Sequence, residues 1–313
     1  MGLVIALAVA LAAAGVVLAV GLWSQHSTAD PGPECVVPIA AAQSATGIGP
    51  AAAVSSTGSD LDLDAVQLQH ASTINAVGLA RGVPDQARVI ALATAFTESG
   101  MRNLDHGDLD SVGLFQQRPS QGWGKVAQIM DPVYAAGRFY DALLKVHGWQ
   151  DMSVTQAAQA VQYSAFPDAY AAWESTARTL ATELSGTVMP SLACRAGAQP
   201  PTADAPARPT VAGAPTADPA LSAVLAAATA ELVGVQVVSI STDGRTAVVR
   251  ATVPHATATV AGRALAAWAV AHGTGFGIDT VRVDGRVFAD HAWAAGPAGS
   301  VLQDGEVSLS VQA

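Results

Sequence analysis

Ala91-Leu92-Ala93-Thr94-Ala95-Phe96-Thr97-Glu98-Ser99-Gly100, with Gly113-Leu114-Phe115-Gln116-Gln117-Arg118-Pro119 shortly after it, is the stretch from which the rest of the chain can be read. Val89, Leu92, Ala93 and Phe96 recur at helical spacing behind a start at Pro84, and Gly100 supplies the stop. Glu98 therefore sits on the last turn of an apolar helix. A carboxyl group so placed can be kept partly dry, which favours its protonated form and suits it to general acid chemistry. Asn103 to Gly113 breaks the period with Asp, His, Gly and Ser and reads as a loop.

Working outward, the same helical period returns at Asp64–Leu79, Pro132–Val146, Val154–Gln162 and Ala169–Leu184, so residues 61–194 read as a mainly α unit. Residues 220–313 change character. A helix is followed by Val235–Ser241 and Thr246–Val253 flanking Thr242-Asp243-Gly244-Arg245, a hairpin signal. Ala258–His272 reads as an Ala-rich helix and Thr280–Phe288 as a strand carrying its own Asp284-Gly285 turn, giving a small α+β unit.

Between the two units, residues 195–219 hold recurrent prolines among Ala, Thr and Asp and read as an extended linker. Residues 24–60 are rich in Ala, Ser, Thr, Gly and Pro without apolar period, the composition of a flexible stalk. Residues 1–23 carry no charged side chain and are long enough for a transmembrane helix. A cleaved signal peptide is the competing reading, but its apolar core is usually shorter and preceded by a basic flank, and no Lys or Arg precedes this segment.

Net charge is −10 and the chain has only two lysines, Lys125 and Lys145. That balance argues against a nucleic-acid partner, since a phosphate-backbone binder needs clustered cations. Cys35 and Cys194 are the only cysteines and bracket the α unit; in an exported chain they are better explained as a disulfide than as metal ligands. Asp105, His106, Asp108 and Asp110 crowd one loop but lack the twelve-residue calcium pattern, and His70, His106 and His147 show no zinc spacing. His255, His272, Asp290 and His291 have no ligand-pair spacing either, so no metal is expected. Nor does a phosphate-loop, dinucleotide or Ser-His-Asp pattern stand out.

Glu98-Ser99, then Gly113-Leu114-Phe115-Gln116 with Pro119, resembles the catalytic domain of the soluble lytic transglycosylases, a branch of the lysozyme superfamily. The pattern, with Trp123, looks like an actinobacterial, membrane-anchored branch of that family. A later motif of the family has a partial counterpart in Gln162-Tyr163-Ser164-Ala165-Phe166, where Tyr163 and Ala165 match but Ser164 and Phe166 depart from it. The likeness covers roughly residues 68–184.

The resemblance implies a lysozyme-like fold for residues 61–194. It also implies a peptidoglycan lytic transglycosylase in which Glu98 protonates the glycosidic oxygen between N-acetylmuramic acid and N-acetylglucosamine, with no cofactor. Ser99, Gln116, Tyr163 and Trp123 are the expected substrate-binding residues, amphipathic rings being suited to bury a sugar face. A hydrolytic muramidase of the same fold remains open, because Asp105, Asp108 or Asp110 could supply a second carboxylate. So does a catalytically weak peptidoglycan-binding module. Peptidoglycan strands are the expected partner, with the membrane and a secretion or conjugation apparatus as further ones. The expected location is the outer, cell-wall side of the cell membrane. For residues 220–313 no activity is implied.

Overall fold

Cys35 lies opposite Cys194 in a small antiparallel sheet, and the two are joined by a disulfide with Cα atoms 4.0 Å apart. The computed structural model describes residues 34–38, 60–163, 167–194, 217–297 and 302–312. The expected transmembrane helix at 1–23 lies outside these residues; among those described, no helix is long and apolar enough to cross a membrane. Most of the expected linker is also outside them.

The expected stalk over 24–60 needs correction at residues 34–37. Glu34–Val37 forms β1, the middle strand of a sheet ordered β2-β1-β3, where β2 is Leu61–Asp64 and β3 is Ala193–Cys194. Cys35 and Val37 are completely buried. An extended Cys-Val-Val run gains two antiparallel neighbours and a covalent bond there, which outweighs the flexible composition around it.

Asp64 ends β2 and caps α1, Ala65–Ala80. It accepts from the Gln67 backbone N–H at 2.8 Å while the Gln67 side chain accepts from Asp64 N at 3.1 Å, a reciprocal capping box. The helix carries no charged side chain and is buried along most of its length, because other helices pack around it. Next comes α2, Asp85–Ser99, with Pro84 one position earlier than the first helical residue. After the loop and a 3-10 turn at Pro119–Gln121 come α3 (Val126–Ile129), α4 (Pro132–Leu143) and α5 (Val154–Gln162). The expected helix at 169–184 divides into a 3-10 segment, Pro167–Trp173, and α6, Glu174–Glu183.

The C-terminal part begins with α7, Pro219–Glu231, capped by Asp218, and contains α8, Ala258–Phe276. Its strands are β4 (Gln236–Ile240), β5 (Thr246–Arg250), β6 (Ile278–Val283), β7 (Arg286–Ala289), β8 (Ala292–Ala295) and β9 (Glu306–Val311). They form one antiparallel sheet in the order β4-β5-β9-β6-β7-β8. The stretch expected as one strand is thus β6 and β7, folded at Asp284-Gly285 with both residues left-handed, as a type I′ turn requires. The chain is a mixed α/β structure.

α8 packs directly on α1. Fully buried His272 on α8 stacks on Trp268, and Thr73 of α1 lies 3.5 Å from its Nε2. Trp268 Nε1 donates to Glu231 of α7 at 2.8 Å. The end of the α-rich part is held similarly: His291 Nδ1 meets the Cys194 carbonyl at 2.8 Å and Trp293 Nε1 donates to the Leu192 carbonyl at 3.1 Å.

Candidate functional site

The helix that carries Glu98 stops where it does because Gly100 takes the left-handed conformation, φ 62°, and its N–H returns to the Phe96 carbonyl at 2.9 Å. Met101 is also left-handed, so the chain reverses sharply after Ser99. Glu98 is thereby left half-buried at the end of a helix whose preceding residues are core.

Ser99 joins the two halves of the sequence pattern. Its hydroxyl lies 3.0 Å from the Ala95 carbonyl and 2.8 Å from the Leu114 carbonyl, and it accepts from Arg102 N at 3.2 Å. These contacts spend Ser99 on positioning the Gly113–Gln117 segment against the helix end.

That segment is pinned from several sides. Gly113 is left-handed and donates to Leu104 O, Val112 and Gln117 form a β-bridge, and Leu114 and Phe115 are fully buried. Phe115 stacks on Phe139 with ring centroids 4.7 Å apart. Gln117, 1% exposed, donates to the Ala135 carbonyl at 3.1 Å. Gln116 is left-handed, φ 47°, and its amide nitrogen donates to the carbonyls of His106 and Gly113 at 3.3 and 3.2 Å. Its amide oxygen packs against Gly107, where any Cβ would overlap it. Gln116 thus holds the loop in this state.

The residue that sequence reasoning missed is Tyr170. It is fully buried in the 3-10 segment, and its hydroxyl donates to Glu98 Oε1 at 2.7 Å. Trp173, three residues on, stacks on Phe96 at 4.7 Å and fixes that segment over the last turn of α2. The sole sequence signal for Tyr170 is an aromatic residue among alanines, which helical core packing explains equally well.

Tyr163 stands at the end of α5, left-handed with φ 53° and 85% exposed. The neighbouring Gln162 side chain donates to the Phe115 carbonyl at 2.7 Å, bringing this helix end to the same segment. Trp123 is half-buried against the core. Its carbonyl accepts from the Tyr134 hydroxyl at 3.1 Å and from Arg138 Nε at 3.3 Å, so Trp123 belongs to a separately braced wall.

In the acidic loop, Asp110 Oδ1 accepts from Arg118 Nε and from the Ser120 hydroxyl, both at 2.9 Å, and Oδ2 accepts from Ser120 N at 2.8 Å. The Arg118 hydrogen bond, followed by the Ser120 backbone N–H, holds its carboxyl down to about 2. Asp105 is also held below its ordinary value, first by its hydrogen bond with His106. Among the described residues no cluster of three or more His, Cys, Asp or Glu is placed to hold a metal ion.

A cavity of about 540 Å³ lies elsewhere, at the end of α8, lined by residues that include Cys194, Thr274, Asp279, Phe288 and His291. Glu98 is not part of it. Chemistry, not enclosed volume, marks the candidate site: one half-exposed carboxyl with a buried hydroxyl on one oxygen, beside a segment locked by carbonyl contacts. Comparison of the chain with protein-family models and with curated proteins returned no match.

Proposed function

We propose that this protein is a peptidoglycan lytic transglycosylase with a lysozyme-like catalytic part, acting on the bond between N-acetylmuramic acid and N-acetylglucosamine. The observation that carries the reading is the placement of Glu98. Its Oε1 accepts from the Tyr170 hydroxyl at the half-buried end of α2, and in this reading the second carboxyl oxygen meets the substrate. In the proposed reaction, protonated Glu98 gives its proton to the glycosidic oxygen as the bond to the muramyl C1 breaks. The muramyl 6-hydroxyl then bonds to C1 and returns its proton to the Glu98 carboxylate, closing a 1,6-anhydro ring and restoring the acid.

Ser99 and Gln116 act here as braces of the substrate-facing segment, and Tyr163 offers an exposed ring for a sugar face. The Cys35–Cys194 disulfide fits an oxidising, extracytoplasmic location, consistent with residues 1–23 as an anchor and a catalytic part facing the wall. Local wall opening for a secretion or conjugation apparatus is the role this arrangement would serve.

The test is mass analysis of fragments released from purified peptidoglycan by the wild-type chain beside Glu98→Gln. Anhydro-muropeptides that fall at least about 100-fold in the variant support the proposal. Release of reducing muramic acid ends would replace it with hydrolysis. Asp110 is committed to Arg118 and Ser120 and Asp105 to His106, so Asp108 is the remaining loop carboxylate for that route, and Asp108→Asn distinguishes the two. Wall binding without any released product would leave a binding module.

A further inference from the structure

α2 ends in two consecutive left-handed residues, Gly100 with φ 62° and Met101 with φ 64°. Glycine takes that conformation without steric cost; methionine does not, and the Met101 side chain is fully buried as well. A reversal of this kind persists where its surroundings hold it. Here the hold comes from α1.

The Gly100 carbonyl accepts from Gln67 Nε2 at 3.0 Å, and the Met101 carbonyl lies 2.9 Å from His70 Nδ1. A carbonyl can only accept, so Nδ1 carries the proton there. Arg102 pairs with the Asp64 carboxylate. Residues 64, 67 and 70 are spaced three apart, so one face at the start of α1 grips three successive residues after Ser99.

Asp64 and Gln67 do this with the atoms their capping box leaves over. Asp64 Oδ1 caps the helix while Oδ2 takes Arg102; Gln67 Oε1 accepts from Asp64 N while Nε2 donates to Gly100. The cap of α1 and the clamp on the end of α2 are therefore one hydrogen-bonded unit. His70 is buried, so its bond to Met101 lies where water competes little. Glu98 stands two residues before the held carbonyls, with the Tyr170 hydroxyl on its Oε1.

We propose that Gln67 and His70 are positioning residues for Glu98: by holding the Gly100 and Met101 carbonyls they fix where the last turn of α2 stops, and so where its carboxyl meets the substrate. The inference rests on the reading of Glu98 as proton donor. Both side chains act through the backbone.

His70→Phe keeps a ring of similar size and removes the donor, and His70→Asn returns an N–H near the place of Nδ1. Gln67→Glu retains the capping-box acceptor, a role Glu fills as well, and takes the donor away from Gly100. Gly186→Ala, outside the clamp, is the control for lost stability alone. Full-length chains are compared below their melting temperatures by fragment release from peptidoglycan and by carbon NMR of labelled glutamate side chains. The Glu98 signal is identified by its loss in Glu98→Gln.

The expected result is a kcat at least about tenfold lower in His70→Phe and Gln67→Glu with KM little changed, since misplacement by about 1 Å can cost about 100-fold. His70→Asn should recover most of the loss. The Glu98 signal should move in both variants, as in Tyr170→Phe, and stay in Gly186→Ala. Gln67→Glu decides if His70→Phe does not fold. An unmoved Glu98 signal or an unchanged kcat in the folded variants, or losses that Gly186→Ala reproduces, would overturn the proposal. A wild-type chain that releases no fragment overturns the donor reading by itself, and the Glu98 signal then decides whether α1 places this carboxyl.

Discussion

The Tyr170 hydroxyl donates to Glu98 Oε1 at 2.7 Å across 72 positions of sequence. The bond holds one of the two carboxyl oxygens, and the stack of Trp173 on Phe96 keeps its donor in place. Tyr170→Phe removes one hydroxyl from a buried site and nothing else of the ring. Loss of a hydrogen bond to an ionisable group, about 1–2 kcal/mol, corresponds to a turnover slowed about 5–30-fold. Kinetics on peptidoglycan should show the loss in kcat with KM little changed and the melting temperature nearly retained.

Gly107 gives the Gln116 amide its room. Gly107→Ala forces that amide off the carbonyls of His106 and Gly113, at a cost of roughly 1–3 kcal/mol in overpacking. Hydrogen exchange across residues 104–117 should rise in this variant, and glycan turnover should fall; unchanged exchange would mean Gln116 does not hold the loop.

Asp110 offers a pH readout with a defined sign. Its folded value of about 2 lies below its ordinary 3.8. The contribution of its contacts to the loop is therefore fully present above pH 3.8 and is lost as pH falls through about 2. Carboxyl titration by NMR should find this group ionised at pH 3, and Arg118→Ala should return it toward 3.8.

Gly186, with φ 77°, lies against the backbone of Val260 and Ala264 of α8, and a Cβ there would overlap both. Gly186→Ala should destabilise the fold by roughly 2–4 kcal/mol, combining backbone strain with steric overlap. Calorimetry should register this as a lower melting temperature for both parts together, because α8 also packs on α1.

Cys35→Ala with Cys194→Ala tests the cross-link. Long-loop disulfides contribute about 2–4 kcal/mol. Denaturant titration of the double variant should show an unfolding free energy lowered by that amount and a correspondingly lower midpoint, with β1 losing exchange protection first.

Legibility from sequence follows the range of the interactions. Asp284-Gly285 announces a I′ turn because glycine supplies one left-handed residue at no steric cost, whereas Asp290-His291 makes the β7–β8 turn with two left-handed non-glycine residues and carries no such sign. β1 is illegible for another reason. Its four residues sit in a stalk-like composition and become a strand through partners near residues 61 and 193. At the site, Glu98, Ser99 and Leu114 are readable from their spacing because the Ser99–Leu114 contact imposes it. Tyr170 escapes notice because its bond to Glu98 depends on how the 3-10 segment folds over α2.

β1 is also where tension would enter the molecule. A pull applied at Glu34 enters the middle strand of a three-stranded sheet. Within two residues it meets the Cys35 cross-link, which passes the load covalently to Cys194. From there His291 and Trp293 grip the carbonyls of Cys194 and Leu192. These contacts link the three-stranded sheet to the β7–β8 end of the six-stranded one, and none of them involves Glu98.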